Sequence, residues 1–342
     1  MRAAVYYNNR DLRIIEMPTP VIRDGGLLIR VEASGICGSD TMEWYRRDKA
    51  PLVLGHEIAG RVEKIGKGVK GFKKGDRVVC AHHVPCQKCD YCLKGHETVC
   101  ETLRKTNFYP GGFAQFVRLA KINVIKGTFL LPDNVSFEEA TFVEPLACVL
   151  RGQRQAGGVK GKRLLVIGSG IAGILHIHLA RFLGASCIVA TDIVKYRLDA
   201  AKKFGADISI DAKEYSPDTG RKINKGRLFD LVVVSTCATS AINQALESVE
   251  RGGTVLFFAP ANKGAKITLP FNELFWRTEI TLMSSYAGSP KDYQEALSLI
   301  AQKKIDVHSM ITHRLSLDEI GEGFRLVSEG RESIKVIIYP QR

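Results

Sequence analysis

The sequence predicts an α/β protein of two domains, one β-rich and one built on a doubly wound parallel sheet. Three observations carry this: the length, a change of pattern near Gly157-Gly158, and a glycine turn beginning at Gly168. A chain of 342 residues exceeds what a single core usually holds. Residues 1–150 contain short β-branched runs, LLIRVEASG, RVEKIG, DRVVCA and FAQFVRLA, separated by turn signals. That is the pattern of a compact, barrel-like β unit. From Arg163 onward short apolar strands alternate with amphipathic helices, which implies a parallel sheet covered on both faces.

The second unit is predicted element by element. Strands are expected at 163–169, 186–192, 230–236, 253–260 and 279–286, and helices at 171–183, 195–204 and 239–249. Helix 195–204 brings Leu198, Ala201 and Phe204 to one face. After Tyr286 come a helix, DYQEALSLIAQ, and a basic, β-rich tail ending KVIIYP. The expected domains are 1–151 with 287–342, and 152–286.

Composition narrows the class. Hydrophobic residues make up 45% and charged residues 25%, ordinary for a soluble globular chain. No stretch approaches the roughly 20 apolar residues that span a bilayer. The start, MRAAVYYNNRDLRIIEMP, lacks the apolar region of a secretory signal, so a cytoplasmic protein without a membrane partner is expected. The net charge of +13 is spread among acids with no run of five basic residues, which reads as a solvated surface rather than a nucleic-acid groove.

The strand LLVIG runs into Gly168-Ser169-Gly170-Ile171-Ala172-Gly173, which opens a helix. In this G-x-G-x-x-G the first glycine makes the turn and the second lets backbone approach a pyrophosphate. The third lets helix and strand pack closely, and the helix N-terminus favours the anion. Asp192 follows Gly173 by 19 residues and ends the next strand. A carboxylate there accepts hydrogen bonds from ribose hydroxyls and repels a 2′-phosphate, so NAD is expected over NADP. Lys195 and Arg197 stand close enough in sequence to oppose that choice.

Four of the nine cysteines, Cys86, Cys89, Cys92 and Cys100, are spaced C-x2-C-x2-C-x7-C. Four thiolates can close tetrahedrally around one Zn²⁺, leaving no vertex for water, so the expected role is structural. An iron–sulfur run is spaced differently and places Pro after its last cysteine, where Glu101 stands here. His82, His83 and His96 read as surface or packing residues.

A second group mixes donors: Cys37 in GICGSD, His56 in LGHE and Glu144 in VEPL. One thiolate, one imidazole and carboxylates from distant turns make a plausible zinc site with an exchangeable position. Gly55-His56-Glu57, Gly60, Gly66 and Val69 fit the zinc-containing alcohol dehydrogenase signature G-H-E-x2-G-x5-G-x2-V at every fixed position. With Cys37-Gly38-Ser39-Asp40, the four-cysteine run, Glu144-Pro145-Leu146 and the glycine turn, the whole chain resembles the medium-chain dehydrogenase/reductase superfamily. The glutamate of E-P-L makes it most similar to the sorbitol and threonine dehydrogenase branch.

The resemblance implies a GroES-like catalytic domain built from both chain ends with a Rossmann domain inserted. It implies catalytic zinc on Cys37 and His56, with Glu57 or Glu144 completing the shell, and leaves open which. Ser39 matches the hydroxyl that takes the alcohol proton, and Asp40 the carboxylate that orients the zinc histidine. The implied reaction is hydride transfer between a secondary alcohol (a polyol, sugar or sugar acid) and NAD, in a homodimer or homotetramer. L-threonine or a simple secondary alcohol is the alternative substrate. A zinc-free quinone or enoyl reductase and a nucleic-acid-binding zinc ribbon are the rival classes, opposed by the full ligand set and by the glycine turn.

One departure from the family stands out. Met42 occupies the place where many relatives carry a proton-relaying histidine, so the proton leaves through ribose and water or a group such as Glu43. Trp44, Tyr45, Arg46 and Arg47 either face the substrate or pack at a rim. Cys80, Cys148, Cys187 and Cys237 read as buried small apolar residues.

Overall fold

A computed structural model describes residues 1–342. The chain divides into two units, Met1–Ala147 with Ala287–Arg342, and Cys148–Tyr286. The division falls inside the helix Val143–Gln155.

The first unit holds two sheets. Strands β1 (Arg2–Asn8), β2 (Asp11–Glu16) and β4 (Leu52–Val53) form a small sheet in the order β2-β1-β4. The larger has seven strands: β3 (Leu27–Gly35), β5 (Glu57–Ile65), β6 (Arg77–Cys80), β7 (Phe116–Leu119), β8 (Thr128–Leu130), β15 (Ile311–Ser316) and β16 (Lys335–Tyr339). Its order is β15-β16-β3-β5-β6-β8, with β7 also on β3. Leu27, Ile29 and Val31 alternate inward along β3 and pack with Ile58, Val62 and Val78. A second cluster gathers Tyr6, Ile36, Phe113, Phe324, Val336 and Ile338. The tail, expected to be β-rich, also carries a helix, Ile320–Glu329. Its buried Ile320, Gly323, Phe324 and Leu326 make it an amphipathic cover for that cluster.

The second unit is one six-stranded sheet in which every pairing is parallel. The order is β11 (Ile208–Asp211), β10 (Cys187–Asp192), β9 (Arg163–Ile167), β12 (Phe229–Val234), β13 (Val249–Phe257) and β14 (Thr281–Ser284). Counted within the unit this is 3-2-1-4-5-6, the doubly wound Rossmann order. Leu164, Leu165, Val166 and Ile167 of central β9 are all buried, as a strand covered on both faces requires. Each such aliphatic side chain contributes about 1.5–3 kcal/mol. Strand β11 falls outside the expected set, because it is only four residues long and half-buried throughout. The edge position explains that pattern. Of the cysteines expected to be buried, Cys80 is, whereas Cys148 and Cys187 are half-buried and Cys237 is exposed.

Candidate active site

Antiparallel pairing assembles the first site. Gly35 at the end of β3 is the register partner of Glu57 at the start of β5, so Cys37 and His56 leave the sheet at the same end. The donor atoms of Cys37, His56 and Glu57 all lie within 4.8 Å of one another. Glu144 is buried at the start of the helix Val143–Gln155 and is not one of this group.

The donors are held by neighbours. Asp40 is fully buried and lies 3.3 Å from His56 Nδ1, while the Cys37 N–H donates to its other oxygen at 3.1 Å. Burial pushes the Asp40 carboxyl up, but the His56 charge and hydrogen bond, Arg46 and the Cys37 N–H outweigh it and hold it below the ordinary value. Burial pushes His56 down, and the charges of Asp40 and Cys37 overcome that, raising it well above the usual imidazole. The same anionic field draws a metal cation, which competes for the imidazole. The donor set fits a zinc ion with one exchangeable position.

Three further side chains belong to this group: Lys335 and His82, which the sequence alone keeps apart from it, and Arg46, which it leaves between substrate cleft and rim. Glu57 accepts a hydrogen bond from Lys335 Nζ, and both residues are buried. A Cβ on Gly35 would collide with Glu57 Oε2, so glycine leaves the room for this pair. His82, expected to pack near the cysteine run, has its ring centroid 4.8 Å from that of His56. Cys80 of β6 pairs with Ile58 of β5, and residue 82 therefore runs on beside residue 56. Burial drives His82 well below the ordinary histidine value, with the charges of His83 and His56 adding to it. Arg46 lies over Ser39: its Nε donates to the Ser39 carbonyl at 2.9 Å and its Nη2 to Ser39 Oγ at 3.3 Å. Trp44 and Tyr45 are exposed.

The four-cysteine run forms a separate site. Sγ separations are 3.6 Å for Cys89–Cys92, 3.6 Å for Cys86–Cys100 and 4.0 Å for Cys86–Cys92. A tetrahedron with Zn–S of ~2.3 Å has edges of about 3.8 Å, so the cage has the size for zinc. Burial and the Cys89 thiol push the Cys92 thiol up to about 12, whereas N–H groups of Cys86, Leu103 and Thr102 overcome burial at Cys100 and bring it down to about 6.

In the second unit the glycine turn joins β9 to the helix Ile171–Phe182. Gly168 has φ +92°, where a side chain is strained, and a Cβ on Gly173 would collide with the Gly168 carbonyl oxygen. Gly170 caps the helix, with Ile171 and Ala172 in its first turn. Asp192, at the end of β10, accepts from the N–H groups of Ser169 at 2.8 Å and Val194 at 3.0 Å. Of the two nearby cations, Lys195 is engaged with Asp199 at 2.5 Å, and Arg197 lies 4.0 Å from Asp192. The Arg197 guanidinium also flanks Gly170.

Comparison with known proteins agrees with this geometry. Residues 23–133 match the alcohol dehydrogenase GroES-like domain and residues 172–302 the zinc-binding dehydrogenase family. Sorbitol dehydrogenase of Bacillus subtilis strain 168 is 30% identical over 357 aligned residues, covering 100% of this chain and 98% of its own. Sorbitol dehydrogenase of Bombyx mori is 33% identical, with 99% and 98% covered. The crystal structure of galactitol-1-phosphate dehydrogenase from Escherichia coli superposes with a TM-score of 0.86 at 26% identity, covering 99% of this chain and 100% of that one. The chain belongs to the zinc-binding alcohol dehydrogenases of the medium-chain dehydrogenase/reductase superfamily. It is an oxidoreductase with a GroES-like and a Rossmann domain that uses zinc and a nicotinamide dinucleotide.

Proposed function

We propose that this enzyme oxidises a secondary alcohol of a polyol, reversibly, with NAD⁺ as acceptor. The observation that carries the reading is the convergence of Cys37, His56 and Glu57 beside Ser39 and Asp40. Cys37 and His56 hold the catalytic zinc, with Glu57 or Glu144 as the carboxylate. When bound, zinc supplies positive charge that lowers the pKa of the alcohol hydroxyl, and NAD⁺ takes the hydride. Asp40 faces His56 Nδ1 and so leaves Nε2 for the metal. Ser39 accepts the alcohol proton. Gly168, Gly170 and Gly173 admit the pyrophosphate, and Asp192 takes the ribose hydroxyls. Cys86, Cys89, Cys92 and Cys100 hold a second zinc that orders their loop. The polyol class is supported by the sorbitol and galactitol-1-phosphate dehydrogenases among the relatives.

NAD⁺ reduction over polyols, inositols, sugar acids, L-threonine and simple secondary alcohols tests this. A polyol is expected to give the highest kcat/KM; preference for L-threonine or a simple alcohol refutes the polyol reading and leaves the dehydrogenase intact. NAD⁺ is expected to be preferred over NADP⁺ by at least about tenfold, or roughly 1.4 kcal/mol. Asp192→Ser should narrow or reverse this, since Arg197 then remains alone beside the ribose position. A wild type that prefers NADP⁺ assigns the dominant role to Arg197.

No helix is long and apolar enough to cross a membrane. A homodimer or homotetramer is proposed on the strength of β14, an edge strand with one neighbour, and of exposed Phe271 and Trp276 in the same unit. Light scattering on the purified enzyme decides it.

A further inference from the structure

Arg46 has no part in the mechanism above, yet it makes the closest polar contacts to Ser39. The short helix Glu43–Arg46 follows Met42, and the Arg46 N–H bonds the Met42 carbonyl at 3.1 Å. Residues four apart share a helix face, so Arg46 stands one turn along from Met42. Its side chain is only 15% exposed. The guanidinium grips Ser39 at two points, the carbonyl at 2.9 Å and Oγ at 3.3 Å, and approaches Asp40 Oδ1 at 3.6 Å. Asp40 in turn faces His56. The four residues form one connected polar unit, with Nε and Nη2 of Arg46 turned into it.

We propose that Arg46 is the positioning residue for proton transfer, fixing the Ser39 hydroxyl and placing a permanent positive charge beside the oxygen that receives the alcohol proton. The inference rests on the dehydrogenase reading above. A serine hydroxyl has one proton and two lone pairs. Arg46 occupies one lone pair, and the other is left for the alcohol proton. As that proton arrives, the serine's own proton leaves to water, so Ser39 is neutral before and after. Arg46 is not deprotonated in proteins and keeps all its protons. Its fixed charge stabilises the negative charge that develops on Ser39 Oγ as the serine's own proton departs, without reorganisation. The thioether of Met42 offers neither a donor nor a charge. A lysine ammonium cannot reproduce the planar fork that spans Ser39 and Asp40 together.

The test compares zinc-loaded wild type with Arg46→Gln, Arg46→Lys, Ser39→Ala and the Ser39→Ala/Arg46→Gln double variant. Metal content, melting temperature and the visible spectrum of the cobalt-substituted proteins are measured beside kcat and KM. Arg46→Gln is expected to lower kcat by about 10–100-fold with KM within about threefold, in the range of proton-transfer effects. Its metal content and cobalt spectrum should match wild type, and Arg46→Lys should recover part of the loss. Because Arg46 acts through Ser39, the double variant should be no slower than Ser39→Ala within about twofold. A kcat within twofold of wild type in Arg46→Gln overturns the proposal, as does a double-variant loss equal to the product of the two single losses. Loss of metal or an altered cobalt spectrum in Arg46→Gln also overturns it, because that marks a shell-building role. If Arg46→Gln does not fold, Arg46→Lys, which keeps the charge, carries the comparison with Ser39→Ala. An active wild type with an indifferent Arg46→Gln removes only this inference; a wild type that reduces neither nicotinamide cofactor with any alcohol removes the dehydrogenase reading and this inference with it.

Discussion

The two cysteine-bearing sites of the first unit are built on opposite plans. Cys86, Cys89, Cys92 and Cys100 come from one short loop, and their sulfurs face one another at 3.6–4.0 Å. Their remaining hydrogen bonds come largely from backbone N–H groups of the same loop. Cys37, His56 and Glu57 come from the ends of two strands, and two of the three have a charged second claimant: Asp40 for His56 and Lys335 for Glu57. A cage whose donors are held by nearby backbone alone is a fixed structural element. A group whose donors are held by second partners keeps its geometry while its outermost position exchanges, which is what a substrate oxygen needs.

The contrast is broken or sharpened by removing one donor from each side. Cys37→Ser and His56→Ala should each lower kcat/KM at least about a thousandfold with the melting temperature nearly unchanged, the loss falling on the exchangeable site. Turnover within tenfold of wild type in either variant would falsify the assignment. Ser39→Ala, which leaves both donor sets intact, should cost about a hundredfold or more, as removal of a general acid–base group does. An unchanged rate there means that the proton takes another route. Cys89→Ser should have the smallest effect on turnover per folded molecule, within about twofold. It should release one of two zincs and lower the melting temperature by about 5–10 °C, taking a loss of a few kcal/mol at about 2–4 °C each. If Cys89→Ser instead abolishes activity at constant melting temperature, the two roles are exchanged.

What can be read from the sequence follows the same division. The four-cysteine cage and the glycine turn are local, so spacing alone exposes them. The strand and helix alternation after Arg163 is legible because its apolar runs are long and buried; β11 is not, being short and half-exposed. Cys37 and His56 stand out through their motifs. Their neighbours are hidden for physical reasons. His82 reaches His56 only through the pairing of β6 with β5, which puts Cys80 beside Ile58. Lys335 sits 278 residues from Glu57, and a lysine opening a strand reads as a surface residue. It is buried because Gly35 clears the space and Glu57 supplies the opposite charge. Arg46 lies near the ligand cysteine in sequence, but only the turn Glu43–Arg46 shows which oxygen it grips.

The position of β16 ties this chemistry to a distant stretch of the chain. The strand Lys335–Tyr339 is far from β3 in sequence, yet it lies between β15 and β3, not at an edge. Without it the Ser34–Gly35 end of β3 has β5 alone as a partner, and Glu57 is a carboxylate without its cation. Leaving one member of a buried ion pair alone costs about 3–5 kcal/mol. A chain cut before Lys335 therefore presents an open strand end and an unbalanced charge at the place where the metal donors gather. A single strand thus serves two ends at once, closing the sheet and neutralising the carboxylate beside the metal donors.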